Sequence, residues 1–142
     1  MNIKIIEAKE SKQIINCFDI RTKVFVEEQG VPAEEELDKL DDVSVHALGF
    51  VDNHPVATGR LITANNKAKI GRMAVLPEFR RSGIGGKVLD FLEKKALEKE
   101  IFEISLHAQE YVKQFYINHR YQQRGNIFYE AGIKHIEMYK KL

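Results

Sequence analysis

The sequence predicts an α/β fold with a mixed β-sheet and helices on its faces, and three observations lead to this class. Turn residues at 52–55 and 65–66 separate three apolar runs, which predicts an antiparallel meander of strands. A strongly amphipathic helix follows, with apolar residues four apart from Ile84 to Ala96. Strand-like runs then stand on either side of a short helical pattern at 112–119. The expected order of elements is βααβββαβαββ.

The individual elements follow from local patterns along the chain. Residues 3–6 form a short apolar run and predict the first strand. Ser11 is placed to cap a helix whose apolar residues recur up to Phe25, and this pattern fades at residues 29–30. Later strands are expected at residues 43–52, 56–63, 69–76, 102–108, 121–128 and 133–140. The strand–helix–strand unit over 69–108 should be parallel and right-handed.

The composition is that of an ordinary globular protein without a charge bias. The chain has 142 residues, 44% hydrophobic and 30% charged, with a net charge of +1, so we expect one domain over residues 1–142. No apolar run approaches the ~20 residues that cross a bilayer. The single cysteine, Cys17, lies in an apolar pattern that predicts burial, and it suits a reducing compartment. We expect a cytoplasmic protein without membrane or nucleic-acid partners.

Three glycines stand where the amphipathic helix begins, directly behind a pair of arginines. Gly83, Gly85 and Gly86 follow Arg80 and Arg81, although each glycine within a helix costs roughly 1 kcal/mol relative to alanine. The first N–H groups of a helix lack internal partners and carry partial positive charge. Glycines let a phosphate approach these groups, and arginines add fork-shaped donors. The stretch therefore predicts a phosphate-bearing ligand.

The spacing of this stretch excludes two common nucleotide loops. A Walker A loop needs glycine at position 81 and serine or threonine at position 88, where the chain has Arg81 and Val88. A Rossmann fingerprint needs a third glycine at the same position 88. The spacing that the chain does have is Arg80-x-x-Gly83-x-Gly85, after a strand that ends near Val75.

This spacing, embedded in RMAVLPEFRRSGIGGKVL, resembles motif A of the GNAT acetyltransferase superfamily. Segments along nearly the whole chain resemble its small bacterial ElaA/YjcF-like branch: RTKVFVEEQGVPAEEELD, GRLI, SLHAQE, FYINHRY and AGIKHIEM. The resemblance implies the GNAT fold, with splayed central strands. It also implies an N-acetyltransferase, in which a primary amine attacks acetyl-coenzyme A (acetyl-CoA) directly in a ternary complex.

The resemblance also implies a coenzyme site that runs from the fourth strand into the glycine-rich loop. Its expected residues are Met73, Ala74, Val75, Arg80, Arg81, Ser82, Gly83, Ile84, Gly85, Gly86 and Tyr116. In the family the loop amides hold the pyrophosphate, while the strand backbone lines the pantetheine arm and polarises the thioester carbonyl. The strand face on which Met73 and Val75 lie also predicts that they are core residues.

Tyr116 is the side chain that the resemblance assigns to acid catalysis, because many family members protonate the departing thiolate with a tyrosine there. The alternative is an aromatic pair with Phe115 that packs the helix onto the sheet. The family usually has glycine where this chain has Arg120. Either Arg120 adopts a left-handed conformation or the helix ends differently.

The general base is less well defined by the sequence. Many relatives carry a glutamate before an arginine on the fourth strand, where this chain has Gly71 and Arg72. Glu28, in the segment expected beside the acceptor pocket, is then the predicted base, and a water chain is another route. Open alternatives are His46, His107 and Glu110.

Several alternatives concern the partners of the protein. The eight carboxylates between Glu27 and Asp42 either attract a cationic amine or form a solvated surface. A small-molecule amine or a protein N-terminus fits as acceptor, and a homodimer stays open.

The rival function is a non-catalytic module that binds or senses acyl-CoA. No metal-ligand spacing is found, and acidic residues interleaved in the lysine-rich helix argue against nucleic acid.

Overall fold

One seven-stranded sheet organises the chain, and the computed structural model describes all of its residues, 1–142. Its strands are β1 (Ile3–Ala8), β2 (Val45–Val51), β3 (His54–Ala64), β4 (Lys67–Val75), β5 (Glu103–Gln109), β6 (Gln122–Glu130) and β7 (Ile133–Lys141). Their spatial order is β1-β2-β3-β4-β5-β7-β6. The helices are α1 (Ser11–Arg21), α2 (Ala33–Glu36), α3 (Ile84–Glu98) and α4 (Lys113–Asn118). The predicted class and order of elements are confirmed.

The centre of the sheet opens between β4 and β5, which are its parallel neighbours. Their pairing is limited to Ala68 with Ile104, Lys69 with Ser105 and Ile70 with Leu106. Beyond these three pairs the two strands diverge, and each leaves a backbone edge without a strand partner. The predicted parallel unit and splayed central strands are both confirmed.

A β-bulge in β4 lies just past the point of divergence. Gly71 pairs with Arg60 and Ala74 pairs with Thr58, so Arg72 and Met73 together oppose one residue of β3. Arg72 adopts a φ of 53°, which is unusual for a residue with a side chain. The bulge therefore redirects the β4 backbone inside the open part of the sheet.

Helix α3 and the adjacent face of the sheet form the main core. The predicted apolar face is confirmed, because Ile84, Val88, Leu89, Leu92 and Ala96 are all fully buried. A smaller core lies on the opposite face, under α1. Cys17 is fully buried in this second core, as its apolar surroundings predicted.

The start of α1 differs from the prediction. Ser11 is the first helical residue and not the cap, because Glu10 and Gln13 form a reciprocal capping box. The helix then widens into a π-helical segment, Thr22–Glu28, which ends before Gly30 at a φ of 77°. The π-helical segment packs against β4.

The end of α4 decides between the two expectations for Arg120. Its φ is 74°, so Arg120 occupies the left-handed region that glycine usually fills. The Tyr121 N–H donates to the Tyr116 carbonyl and the Arg120 N–H to the Ile117 carbonyl, both at 3.0 Å. These two bonds form a Schellman motif. The helix therefore ends in the usual way in spite of the arginine.

Candidate active site

A cavity of about 720 Å³ occupies the opening between β4 and the start of α3. Nine of the predicted coenzyme residues line it: Met73, Ala74, Val75, Arg80, Arg81, Gly83, Gly85, Gly86 and Tyr116. Apolar and aromatic side chains from α4 and the preceding turn close the other wall. We call this space the coenzyme cavity, after the residues that were predicted to contact the coenzyme.

The glycine-rich loop presents free backbone donors at the start of α3. Gly83 precedes the helix at a φ of 89°, and Arg81 also adopts a positive φ, of 68°. The N–H groups of Arg81, Gly83, Gly85 and Gly86 have no acceptor within the chain. Converging N–H groups at a helix N-terminus form a site for an anion.

Close packing explains only one of the three glycines, Gly86, while a positive φ explains Gly83. A Cβ at Gly86 would lie 2.6 Å from Nε2 of His119, so this position excludes larger residues. A Cβ at Gly85 would meet the Phe115 ring at 3.5 Å, which is an ordinary contact. Gly85 therefore has room for a methyl group, which makes it a useful position for testing the cavity.

Two predicted coenzyme residues do not line the cavity. The Ser82 hydroxyl donates to the Phe79 carbonyl at 2.6 Å and accepts from the Ile84 N–H at 3.3 Å. The Ile84 side chain is fully buried in the main core. These residues shape the loop, and any contact that they make to a ligand would come from their backbone.

Arg80 and Glu28, which were predicted for different tasks, contact each other. Two hydrogen bonds of 2.8 and 2.7 Å join the guanidinium to the carboxylate, and a third, from Arg80 Nε to the Val75 carbonyl, measures 2.9 Å. The hydrogen bond from Arg80 lowers the pKa of Glu28, which makes its carboxylate a weaker proton acceptor. Glu28 does not line the coenzyme cavity.

Tyr116 is a buried residue of α4 that lines the coenzyme cavity. It is 7% exposed, packs edge-on against Phe115 at 5.0 Å, and its hydroxyl makes no hydrogen bond within the chain. Burial raises the pKa of Tyr116 well above its ordinary value, so the phenol stays protonated at neutral pH. The aromatic packing and a free hydroxyl donor are thus both present.

A second cavity of about 360 Å³ lies on the α2 side of the sheet, under the segment that follows the π-helix. It shares Met73, Gln109, Val112 and Tyr116 with the coenzyme cavity. The two spaces therefore meet at the bulge of β4 and the end of β5. We call the second space the acceptor cavity.

A buried network of charges borders the acceptor cavity. Arg21 binds Glu36 at 2.8 Å and Asp41 at 2.7 Å, while Arg60 binds Asp41 at 2.9 Å and Asp38 at 2.8 Å. Burial alone would raise the pKa of Asp41, but the hydrogen bonds and charges of the arginines outweigh it and lower that pKa to about 2. Part of the acidic run thus has a structural role that neither sequence interpretation anticipated.

The structure separates the open alternatives for the base. His46 is buried, with Nε2 at 2.9 Å from the Asp41 carbonyl, and lines neither cavity. Glu110 contacts Lys113 at 3.6 Å and also lines neither cavity. His107 lines the acceptor cavity, with Nδ1 at 2.6 Å from a carboxylate oxygen of Glu130.

Some residues of the site were not predicted individually. Gln109 lines both cavities and exchanges two hydrogen bonds with Gln29, of 2.7 and 3.3 Å. His119 accounts for Gly86, and Arg60 and Glu36 border the acceptor cavity. Gln109 and Arg60 lie in SLHAQE and GRLI, two of the segments that carried the family resemblance, and this was the only indication of them in the sequence. Their roles depend on contacts between distant parts of the chain.

Two further findings concern ions and membranes. No group of three or more histidine, cysteine, aspartate or glutamate side chains is arranged to hold a metal ion. None of the helices combines the length and the apolar character needed to cross a membrane.

A splayed parallel strand pair, a donor-rich loop and two cavities that meet between them define the GNAT class of acyl-CoA N-acyltransferases. The chain belongs to the acetyltransferase (GNAT) domain family, whose model matches residues 8–142. It is 37% identical over 139 residues to the uncharacterized N-acetyltransferase YjcF of Bacillus subtilis (strain 168), covering 97% of this chain and 99% of that relative. The resemblance seen in the sequence is thereby confirmed.

Solved structures share the fold at lower identity. The crystal structure of Escherichia coli ElaA has a TM-score of 0.84 at 22% identity and covers 99% of both chains. A GNAT family acetyltransferase from Elizabethkingia anophelis, determined with acetyl-CoA bound, has a TM-score of 0.76 at 19% identity and also covers 99% of both chains.

Proposed function

We propose that residues 1–142 form one catalytic domain that transfers the acetyl group of acetyl-CoA to a primary amine. The observation that carries this proposal is the meeting of two cavities at Met73 and Tyr116. One space offers phosphate donors at its far end, and the other is lined by both apolar and charged side chains and has room for a separate substrate. A thioester at the junction would be reachable from both sides, as direct attack requires.

The coenzyme cavity would bind the pyrophosphate through its free loop amides. The N–H groups of Arg81, Gly83, Gly85 and Gly86 lack acceptors, and the side chain of Arg81 has no ion-pair partner. Arg80 would join them after it releases Glu28. The acetyl-CoA bound to the Elizabethkingia anophelis relative supports this choice of cosubstrate. The unpaired edge of β4 around Met73 would accompany the pantetheine arm and polarise the carbonyl.

At the junction, the amine would attack the thioester directly. The neutral amine nitrogen forms a bond to the carbonyl carbon, and the carbonyl π electrons move onto oxygen. When that oxygen re-forms the double bond, the carbon–sulfur bond breaks and the thiolate takes a proton from Tyr116. The phenolate then recovers the surplus proton of the new amide nitrogen. Tyr116 suits this role because it lies where the two cavities meet and its hydroxyl makes no hydrogen bond within the chain.

The acceptor is proposed as a class only. Free amino acids, polyamines, amino sugars and protein N-termini all present a primary amine, and a cavity of about 360 Å³ suits a small amine or a short terminal segment. The charged groups around it are largely paired with one another, so the cavity has no strong net preference for one sign of charge.

A sensing module is the second candidate function. Position 71 is glycine, so β4 supplies no carboxylate beside the junction. If no other group replaces it, the protein would bind acyl-CoA without turning it over. Arg120 gives no support to this alternative, because α4 ends normally around it.

The deciding experiment measures binding and turnover on the same preparation. Calorimetry gives the Kd for acetyl-CoA, and a thiol reagent follows the release of free coenzyme A with a panel of the four acceptor classes. Transfer to any amine, confirmed by mass of the acetylated product, supports the enzyme. Tight binding with no turnover on the whole panel favours the sensor, and absence of binding contradicts both.

A further inference from the structure

His107 lies at the fork where the central strands separate. Ile70 and Leu106 are the last paired residues of β4 and β5, and Gly71 and His107 directly follow them. Leu106 and Ala108 point into the main core, so His107 faces the opposite side, where the acceptor cavity is found. Gly71 has no side chain there, so the imidazole borders open space.

Glu130 fixes the orientation and the tautomer of this imidazole. Its Oε1 lies 2.6 Å from His107 Nδ1, and both residues line the acceptor cavity. The ring also packs edge-on against Phe128, with centroids 4.9 Å apart. When Nδ1–H donates to the carboxylate, Nε2 carries the free lone pair. Nε2 has no hydrogen-bond partner within the chain, so it is available to a ligand.

Lys69 also contacts the imidazole, and the other ionisable groups around His107 are engaged elsewhere or face the same cavity. Lys69 Nζ lies 3.4 Å from Nδ1, and Glu137, opposite His107 on β7, binds Arg124 at 3.1 Å. The remaining ionisable groups of the cavity are Glu35, Glu36, Arg60, Arg72, Tyr116 and His135. Among all of these, Glu130 is the carboxylate in contact with the ring.

We propose that His107, oriented by Glu130, is the general base that deprotonates the acceptor amine. The proposal rests on the acetyl transfer proposed above. The ammonium form of the acceptor gives one proton to His107 Nε2, and its freed lone pair then attacks the thioester. Glu130 stabilises the imidazolium through the Nδ1–H bond, as an orienting carboxylate does in a catalytic triad. The imidazolium afterwards releases its proton to solvent, which regenerates the neutral base.

Competing bases are less well placed. Glu28 is held by Arg80, and His46 lies outside both cavities. His135 also lines the acceptor cavity, but it is 8% exposed and its Nδ1 contacts the Ile133 carbonyl at 2.8 Å, with no carboxylate partner. Because it is a histidine in the same cavity, His135 is the rival base that the experiment must test.

The experiment compares His107→Asn, Glu130→Gln and His135→Asn with the native chain, using the best amine found in the acceptor panel. We expect kcat/KM for the amine to fall about 100-fold in His107→Asn and about tenfold in Glu130→Gln at pH 7. The Kd for acetyl-CoA should stay within twofold of the native value in both. His46→Asn, a buried histidine outside the site, controls for effects on folding.

The pH dependence separates a base from a structural residue. As the pH rises towards the pKa of the acceptor amine, a growing fraction of the amine is already neutral in solution and needs no base. The loss of kcat/KM in His107→Asn should therefore shrink to a few-fold. A constant deficit at all pH values, or the main loss in His135→Asn instead, overturns the assignment to His107. If the native chain acetylates no amine, the proposed function itself fails. If the native chain is active and His107→Asn has the same kcat/KM, the function stands and the assignment of the base fails.

Discussion

The guanidinium of Arg80 is bound on both of its terminal nitrogens by the carboxylate of Glu28, at 2.8 and 2.7 Å. The sequence had suggested that one residue grips phosphate and that the other accepts a proton. In this arrangement neither is free for its task, because the anion that holds Arg80 comes from the protein. The carboxylate and a pyrophosphate would compete for the same donors.

Removing this competitor should strengthen coenzyme binding. Glu28→Gln leaves Arg80 without its anionic partner, and an exposed ion pair contributes about 0.2–1 kcal/mol. We therefore expect the Kd for acetyl-CoA to fall by about two- to fivefold, measured by calorimetry at low salt. Glu27→Gln, beside it on the exposed surface, should leave the Kd unchanged. Weaker binding in Glu28→Gln would contradict this competition, whereas complete loss of transfer with binding intact would return Glu28 to the role of base.

Gly85→Ala tests the loop without disturbing the fold. Its Cβ has ordinary contact distance to Phe115, at 3.5 Å, and alanine improves helix propensity by up to roughly 1 kcal/mol. The methyl group would nevertheless project into the coenzyme cavity beside a free N–H. We expect equal or higher stability with acetyl-CoA binding weakened about tenfold. Lys94→Ala, on the far face of the same helix, is the control; unchanged binding in Gly85→Ala would argue against the loop as the phosphate site.

Tyr116→Phe should separate chemistry from binding. Phenylalanine keeps the contact with Phe115 and removes only the hydroxyl, whose pKa is raised by burial. We expect kcat to fall by about 100-fold at pH 7, while the Kd for acetyl-CoA changes less than twofold. Steady-state kinetics with saturating coenzyme gives the first quantity and calorimetry the second. A variant with native kcat would leave Tyr116 with its aromatic packing role alone.

Acid should weaken the fold through Asp41. The pKa of this carboxyl is lowered to about 2, against about 3.9 in an unfolded chain, so its stabilisation is complete above about pH 4 and is lost as pH falls towards 2. The loss amounts to about 2 kcal/mol. Urea unfolding at pH 2–7 would measure it. Asp41→Asn should be less stable at pH 7 and lose this part of the pH dependence, whereas the exposed Asp42→Asn should behave like the native chain.

Arg120→Gly should stabilise the protein. Arg120 has a φ of 74°, and a left-handed residue with a side chain costs roughly 1 kcal/mol or more. Glycine relieves this strain while the Schellman bonds of α4 stay in place. We expect about 1 kcal/mol of added stability, measured by urea denaturation. Asn118→Gly, inside the helix, should show the opposite sign, and a destabilised Arg120→Gly would mean that the arginine side chain contributes contacts of its own.

Local patterns were enough to predict much of the architecture. The four-residue repeat of α3 named its buried face in advance, since a helix has a fixed period and one side must be apolar. Turn residues fixed the meander, and motif A located the loop that lines the coenzyme cavity. The cap of α1 was predicted wrongly, because Glu10 and Gln13 can satisfy the same N–H groups as serine.

The sequence by itself determined the order of elements, the apolar faces and the glycine-rich loop, because these depend on residues that are near neighbours along the chain. Only the tertiary structure decided which charged groups meet. The pairing of Glu28 with Arg80 spans 52 positions and that of His107 with Glu130 spans 23. Such contacts depend on how strands diverge and helices cross them, and hydrophobic periodicity carries no information about that geometry.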